Sequence, residues 1–489
     1  MSDLLALLVA LPLVGALLPL VLGARRPGLA RATTAALLLG QVALALVVAA
    51  LVAAGGPLSY VVGGLPAAVG IGLLVDRVSA AFVLLVAVAG AGLYLGARAD
   101  ATGPGDSLWL LLVAGLTGVC VTADVFNLYV FLEISGLAAY ALVATRRTGT
   151  AALAALQYLL VGTVGATFYL LGVGYMYIAT GTLAMAELRP ALAAVGYGSP
   201  LVVAAFAFVV VGLGVKLALF PVHAWKPDAY AAAPADVAAL LAALGSTVAG
   251  YALVRLTFDV FTVGFLAAVP AARIGLLAAG VAGVAAGGYL TLLQSDVRRL
   301  FAYSSILQFG LVLLGVGLAT ATAVLAALVL LVANALAKGG LYVATGTLAR
   351  DGATTVAGYA GRARDRPAVA ASVAVALTSL VGLPPTVGFA GKWLLALAAV
   401  EAGAWVVASV VLASTMVSLA YAGRVVERLY LGEGGDARVP PAATDGGVDA
   451  GPGRRAVATV AVVAVALVAL GLGSTLLVDW LAPVVEVWI

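Results

Sequence analysis

Residues 212–225 read GLGVKLALFPVHAW, and residues 379–395 read SLVGLPPTVGFAGKWLL. Each stretch holds a lysine inside an apolar run with a proline break beside it. Pro221 follows Lys216, with Gly212 and Gly214 ahead of it, and Pro384-Pro385 precede Lys392. Proline lacks a backbone N–H and its ring clashes with the preceding turn, so a helix interrupted there leaves carbonyls unpaired. In lipid such groups are tolerated only where protein or water satisfies them, so broken apolar helices mark ion pathways. An isolated helix proline is more often a simple kink. Here both breaks coincide with an intramembrane lysine.

The surrounding chain has the composition of a membrane protein. Of 489 residues, 64% are hydrophobic and 9% charged, with a mean hydropathy of +1.19. Soluble proteins carry roughly 45–50% apolar and about 25% charged residues. A soluble enzyme, a disordered protein and a nucleic-acid binder are therefore excluded. Apolar runs fall at 4–22, 32–54, 71–96, 107–123, 125–145, 152–179, 200–221, 234–255, 272–293, 301–319, 321–348, 367–399, 403–431 and 456–480. Each is long enough to span a bilayer, which takes about 20 apolar residues. The expected fold is an all-α polytopic membrane protein of about 14 transmembrane helices, with helices 7 and 12 broken. Met1-Ser2-Asp3 lacks a basic region before the first run, which reads as a retained helix and not a cleaved signal peptide. Residues 55–70 carry turn residues compatible with a short hairpin, and 432–455 read as a flexible loop.

Charge placement gives the orientation. Eighteen of the 25 Lys and Arg follow odd-numbered helices, among them Arg25, Arg26, Arg98, Arg146, Arg147, Lys226, Arg298, Arg299, Arg438 and Arg454. Four, Arg77, Arg189, Arg255 and Arg273, lie on the other side or at helix ends facing it. By the positive-inside rule the odd loops face the cytoplasm and both termini face out. The expected location is the cell (inner) membrane.

The three remaining cations, Lys216, Lys338 and Lys392, lie within apolar runs, although the chain has only four lysines. Each intramembrane charge costs roughly 2.5–3.5 kcal/mol on insertion scales. Lysine can lose its proton when desolvated and arginine cannot, so a buried lysine is a candidate proton carrier. Glu133 is the carboxylate deep within an apolar run, with Asp124 near the start of that helix. Glu133 and Lys216 read either as a structural ion pair or as a tunable pair that governs the lysine's proton. Helices 7 and 12 would then be corresponding members of two five-helix units, 107–255 (helices 4–8) and 272–431 (helices 9–13), inverted because each unit holds an odd number of helices. Helices 1–3 (1–106) would precede them. The cytoplasmic loop 432–455 and helix 14 (456–489) would follow.

Polar residues between these points are candidates for a water chain. They are Ser246 and Thr247 in helix 8, Ser304, Ser305 and Gln308 in helix 10, and Asn334 four residues before Lys338 in helix 11. Each alone also reads as an ordinary helix–helix hydrogen bond. His223 reads equally as a proton shuttle or as a cap on broken backbone. One cysteine, Cys120, excludes an intrachain disulfide, and one histidine excludes a His-cluster metal site. No G-x-G-x-x-G after a strand and no P-loop occurs, so no cofactor and no metal are expected.

Four segments carry a resemblance: LFPVHAWKPDAYAAAPADVAALLAAL (219–244), QSDVRRLFAYSSILQFG (294–310), ALAKGGLYVATG (335–346) and GLPPTVGFAGKW (382–393). Together they resemble the proton-translocating antiporter-like subunits shared by respiratory complex I, membrane-bound hydrogenases and Mrp-type multisubunit cation/proton antiporters. DVFNLYVFLEISGLAAYAL (124–142) and QYLLVGTVGATFYLLGVGYMYIATGTL (157–183) resemble in particular the D-type component of Mrp antiporters. The resemblance covers about residues 70–430. It implies a fourteen-helix bundle with two inverted repeats and a coupling pair formed by Glu133 and Lys216. It also matches Lys338 to the lysine of the helix 11 motif and Lys392 to the terminal proton carrier. Three positions depart from the pattern. Thr247 stands where many relatives carry lysine or histidine, Asn334 where they often carry histidine, and Gln308 at another polar or histidine position. The middle of the path would then rely on water and hydroxyls.

The resulting expectation is a proton-translocating subunit of an Mrp-type sodium/proton antiporter. Protons would load Lys216 from a half-channel near helices 7 and 8, pass toward Lys338 and Lys392, and leave by a second half-channel. The partners would be other antiporter subunits in a hetero-oligomeric complex, with protons, Na+ or K+ as the ions, the lipid bilayer around it, and no nucleic acid. One alternative keeps the fold but places the chain in a quinone-linked or hydrogenase complex, with any redox centre in partner subunits. A second is a non-conducting membrane scaffold.

Overall fold

A computed structural model describes residues 3–64, 70–98, 102–432 and 453–489. Residues 433–452 of the expected loop, with Arg438, lie outside the described residues, as do residues 65–69. Among the described residues thirteen helices are long and apolar enough to cross a membrane. In the sequence numbering these are helix 1 (Asp3–Gly23), 2 (Pro27–Gly55), 3 (Arg77–Ala97), 4 (Gly103–Val121), 5 (Val125–Ala144), 6 (Gly149–Thr180) and 7 (Pro200–Leu217). They continue with 8 (Ala235–Ala268), 9 (Pro270–Leu293), 10 (Val297–Leu318), 11 (Ala321–Ala349), 13 (Trp405–Leu431) and 14 (Arg454–Leu472). Helix 12 is the fourteenth, divided into Pro367–Val381 and Val387–Glu401, 15 residues each. At 1.5 Å per residue each half reaches about 22 Å, short of the roughly 30 Å hydrocarbon core. Neither half crosses alone.

Polar residues at the loops fix where several helices start. Asp124 accepts from Asn127 N at 2.7 Å, Thr148 from Ala151 N at 3.2 Å and Asp296 from Arg299 N at 2.8 Å. Each meets a first-turn N–H that the helix itself cannot pair. Between helices 2 and 3 a short antiparallel hairpin pairs β1 (Leu58–Val61) with β2 (Gly72–Val75), Leu58 opposite Val75.

Two boundaries differ from the apolar runs. The eighth run stops at Arg255, yet helix 8 continues to Ala268 through a π-helical stretch at Leu256–Phe261. Arg255 is not a helix end. It is buried, donates to Asp76 at 2.7 Å and pairs with Asp259 at 3.1 Å, and this neutralisation lets an arginine sit within the helix. The last run divides at Gly473 into helix 14 and a separate helix, Ser474–Trp488.

Helices 8, 10 and 11 form the centre. In the most apolar stretch of each, 94% of residues are buried, against 28% in helix 2 and 33% in helix 13. Small residues bring backbones together, as they do between membrane helices generally. A Cβ on Gly212 would lie 2.5 Å from Tyr169 N, fixing helix 7 against helix 6, and one on Gly310 would lie 2.6 Å from Val284 N, fixing helix 10 against helix 9. A helix buried on all sides is ordinarily apolar all round. Helices 8, 10 and 11 instead carry buried Ser246, Thr247, Ser304, Ser305, Gln308, Asn334 and Lys338.

Candidate functional site

Helix 7 ends because Ala218 takes a left-handed φ of 59°, three residues before Pro221. The chain resumes as Trp225–Ala232. The carbonyls released at this break find side-chain donors: Trp225 Nε1 donates to Val215 O at 3.1 Å and Ser246 Oγ to Lys216 O at 3.1 Å. Lys216 therefore stands on the last turn of a helix clamped at its broken end. Its Nζ donates to Glu133 Oε1 at 2.9 Å and to Tyr140 Oη at 3.0 Å, both on helix 5. Tyr140 meets Tyr158 edge-on at 4.5 Å, and Tyr158 stacks on Trp225 at 4.0 Å with 5° between the planes. A cavity of about 20 Å³ lies beside Lys216, lined by Ser135, Gly136, Tyr158 and the Leu241–Gly245–Ala249 face of helix 8. That volume holds about one water molecule.

At the second break Gly382 takes a φ of 86°, which favours glycine. A Cβ there would lie 2.6 Å from Lys392 Cδ. The released carbonyls are again occupied, Val381 O by Lys392 Nζ at 3.0 Å and Leu380 O by Gln308 Nε2 at 2.9 Å. Both breaks thus hold a lysine, Lys216 before the gap and Lys392 after it.

Lys338, on helix 11, donates to Phe301 O at 2.7 Å and to Ser304 Oγ, while Ser304 Oγ donates to Phe301 O at 3.0 Å. Tyr421 of helix 13 faces Ser304, Gln308 and Ser418 without a formed hydrogen bond. Lys338, Ser304, Gln308 and Lys392 are therefore brought into one neighbourhood. Thr247 and Asn334 share another. Gly250 packs on Leu331 and Gly339 on Ala243, an antiparallel register that sets Thr247 level with Asn334. Thr247 Oγ1 and both amide atoms of Asn334 are buried without a hydrogen-bond partner. Buried polar atoms of this kind are ordinarily satisfied, by water where protein offers nothing. His223 is half-buried beside the break, its ring 5.4 Å from Phe220 and 6.1 Å from Tyr303.

One lysine departs from the sequence expectation. The proline break ahead of Lys226 gives it the look of a loop residue, but it is buried, with Nζ donating to Ser246 Oγ at 2.9 Å. All four lysines of the chain are thus inside the bundle, and among the described residues only Lys216 has a carboxylate partner. A signal was present: every other basic residue outside the apolar runs is arginine, so a loop lysine would have been the sole exception. Tyr140 carried no signal, since a tyrosine two turns after Glu133 looks like any packing aromatic.

A family model described as NADH:quinone oxidoreductase/Mrp antiporter, TM matches residues 122–418, a region that holds Glu133 and all four lysines. The chain is 42% identical over 405 residues to the N subunit of NADH-quinone oxidoreductase of Desulforudis audaxviator, covering 80% of each chain. To the D-type component of the Na(+)/H(+) antiporter of Bacillus subtilis it is 30% identical over 378 residues, covering 76% of each. It is also similar in structure to a chain of the Mrp complex from Dietzia sp. DQ12-45-1b, with a TM-score of 0.88 and 26% identity, covering 100% of this chain and 97% of that one. The likeness to the antiporter component is thus the more distant of the two sequence relationships. The chain belongs to the NADH:quinone oxidoreductase/Mrp antiporter transmembrane family.

Proposed function

We propose that this chain is the antiporter-like, proton-pumping subunit of a redox-driven membrane complex of the NADH–quinone oxidoreductase kind, with its redox centres in partner subunits. The observation that carries proton translocation is the Glu133–Lys216 pair at 2.9 Å, at the head of buried lysines that have no carboxylate partner among the described residues. Such a pair stabilises the ammonium when closed and releases that stabilisation when opened, so movement of helix 5 against helix 7 changes the hold of Lys216 on its proton. The proton then passes through the polar middle at Thr247 and Asn334 to Lys338, and by Ser304 and Gln308 to Lys392. His223 stands beside the first break as an entry group. The 42% identity to the N subunit favours the redox-driven reading over the sodium/proton antiporter expected from the motifs.

The antiporter reading remains the second one, supported by the TM-score of 0.88 to the Mrp complex chain. In either case the partners are other membrane subunits, and helices 4–8 and 9–13 act as two inverted units, each broken beside a lysine. Both termini face outward in this proposal. Moving Lys226 and Arg255 from the loops into the bundle leaves the bias of arginines toward the odd-numbered loops intact.

Gentle purification of the tagged chain from its native host, with mass spectrometry of what accompanies it, decides between the drivers. Iron–sulfur subunits and a bleachable visible spectrum are the expected result. Small hydrophobic antiporter subunits without a redox protein would overturn the redox-driven reading.

A further inference from the structure

We propose that Lys226 is a proton-carrying residue of this chain, a station between Lys216 and Lys338. The inference rests on the proton-translocation reading above and adds a residue to it.

Three observations place it there. First, Lys226 bridges the two helices that meet at the break. Its Nζ donates to Ser246 Oγ at 2.9 Å, and the same hydroxyl donates to Lys216 O at 3.1 Å. Ser246 therefore links the amine of Lys226, through two hydrogen bonds, to the backbone carbonyl of Lys216, the residue that carries the first amine. Second, Lys226 faces onward to helix 10. Its Nζ stands 4.5 Å from the ring centre of Phe309 and 5.3 Å from that of Tyr230. Tyr230 in turn meets Tyr342 of helix 11 edge-on at 5.7 Å. Third, among the described residues no carboxylate pairs with Lys226, whose ammonium has, besides Ser246 Oγ, only the ring faces of Phe309 and Tyr230 to favour it. The nearest carboxylate along the chain, Asp228, is partly exposed and pairs with Arg299. Arg298 and Arg146, also packed against this segment, donate to its backbone carbonyls at the far end, Arg298 to Ala231 O and Ala233 O and Arg146 to Ala232 O. The remaining titratable neighbours are His223, one turn back, and the tyrosines Tyr158, Tyr230 and Tyr342, none of which brings a negative charge.

A lysine kept only for structure would be expected to hold a counter-charge, because an uncompensated buried ammonium is unfavourable in a membrane interior. Lysine, unlike arginine, can exist there as a neutral amine and as an ammonium. Transfer is balanced as one proton moving twice. The Lys216 ammonium gives it through the water-sized cavity and the hydroxyls of helix 8 to the neutral Lys226 amine. The Lys226 ammonium then gives it past Thr247 and Asn334 to the neutral Lys338 amine. Each donor is left as a neutral amine with its lone pair.

The test uses the whole complex, purified from the native host and reconstituted in vesicles with a pH-sensitive dye, driven by the reaction its co-purified subunits specify. Lys226→Gln keeps a donor for Ser246 but carries no proton, and Lys226→Arg keeps the charge but does not release it. Both are expected to co-purify with all partner subunits and to lower proton flux at least tenfold. Wild-type flux in either one overturns the proposal. Failure of both to assemble, together with Lys226→Met, would assign Lys226 a purely structural role and overturn it as well. Lys216→Ala, measured beside them, separates the two levels. If it abolishes flux while Lys226→Gln does not, only the station at Lys226 falls. If Lys216→Ala retains full flux, the proton-translocation reading itself falls.

Discussion

Gly382→Ala is expected to disable Lys392 without altering it. The φ of 86° is unfavourable for alanine by about 1–2 kcal/mol, and the new methyl would stand 2.6 Å from Lys392 Cδ. Lys392 must then swing off Val381 O, its hydrogen-bond acceptor. The expected outcome is a complex that assembles with slightly lowered thermal stability and proton flux reduced at least fivefold, and wild-type flux would show that Lys392 needs no fixed seat. At this scale the sequence was legible where a charge stood alone in an apolar run. Glu133, Lys216, Lys338 and Lys392 are conspicuous because they are charged residues deep within apolar runs. Lys226 was not, because proline, aspartate and histidine surround it and give it the look of a loop. The contacts of Tyr140, Ser246 and Gln308 depend on which helices meet, and residue spacing along one helix does not state that.

The two broken helices depend on carbonyls that a continuous helix would keep for itself. Replacing both Pro384 and Pro385 by alanine would let helix 12 run on toward Val387, drawing Leu380 O and Val381 O into backbone hydrogen bonds and away from Gln308 and Lys392. The doubly substituted chain should be at least as resistant to heat as the natural one, yet at least tenfold slower in proton flux. An unchanged flux would show that the break is dispensable. Elements were legible to the extent that lipid dictates them. A bilayer demands about 20 apolar residues per crossing, so counting runs recovered, among the described residues, the thirteen spanning helices and the divided twelfth. The errors fell where protein replaces lipid as the surroundings: Asp76 and Asp259 neutralise Arg255, and helix 8 extends past a charge that would end a lipid-facing helix.

For the molecule as a whole, orientation is directly measurable because Cys120, the single cysteine, is buried and will not react. Ala194→Cys, in the short helix Met185–Val195, and Arg146→Cys, after helix 5, both place a thiol at an exposed site. A membrane-impermeant maleimide should label the first in intact cells and the second only after permeabilisation, and the reverse pattern would invert the topology. Fold class and family were legible at this scale from composition and a handful of motifs. What drives the chain was not. Driving force enters through other subunits, and an outer face of apolar side chains such as Leu153, Leu160, Leu412 and Met416 looks the same whether it meets lipid or protein. The burial of helices 8, 10 and 11 behind an outer ring has one more consequence. Bilayer thickness acts on tilt and packing of the helices that touch lipid, and the innermost three do not. A thicker or thinner membrane would therefore re-tilt the ring while Thr247, Asn334 and Lys338, on the inner three, keep their spacing. The chain carries its own insulation.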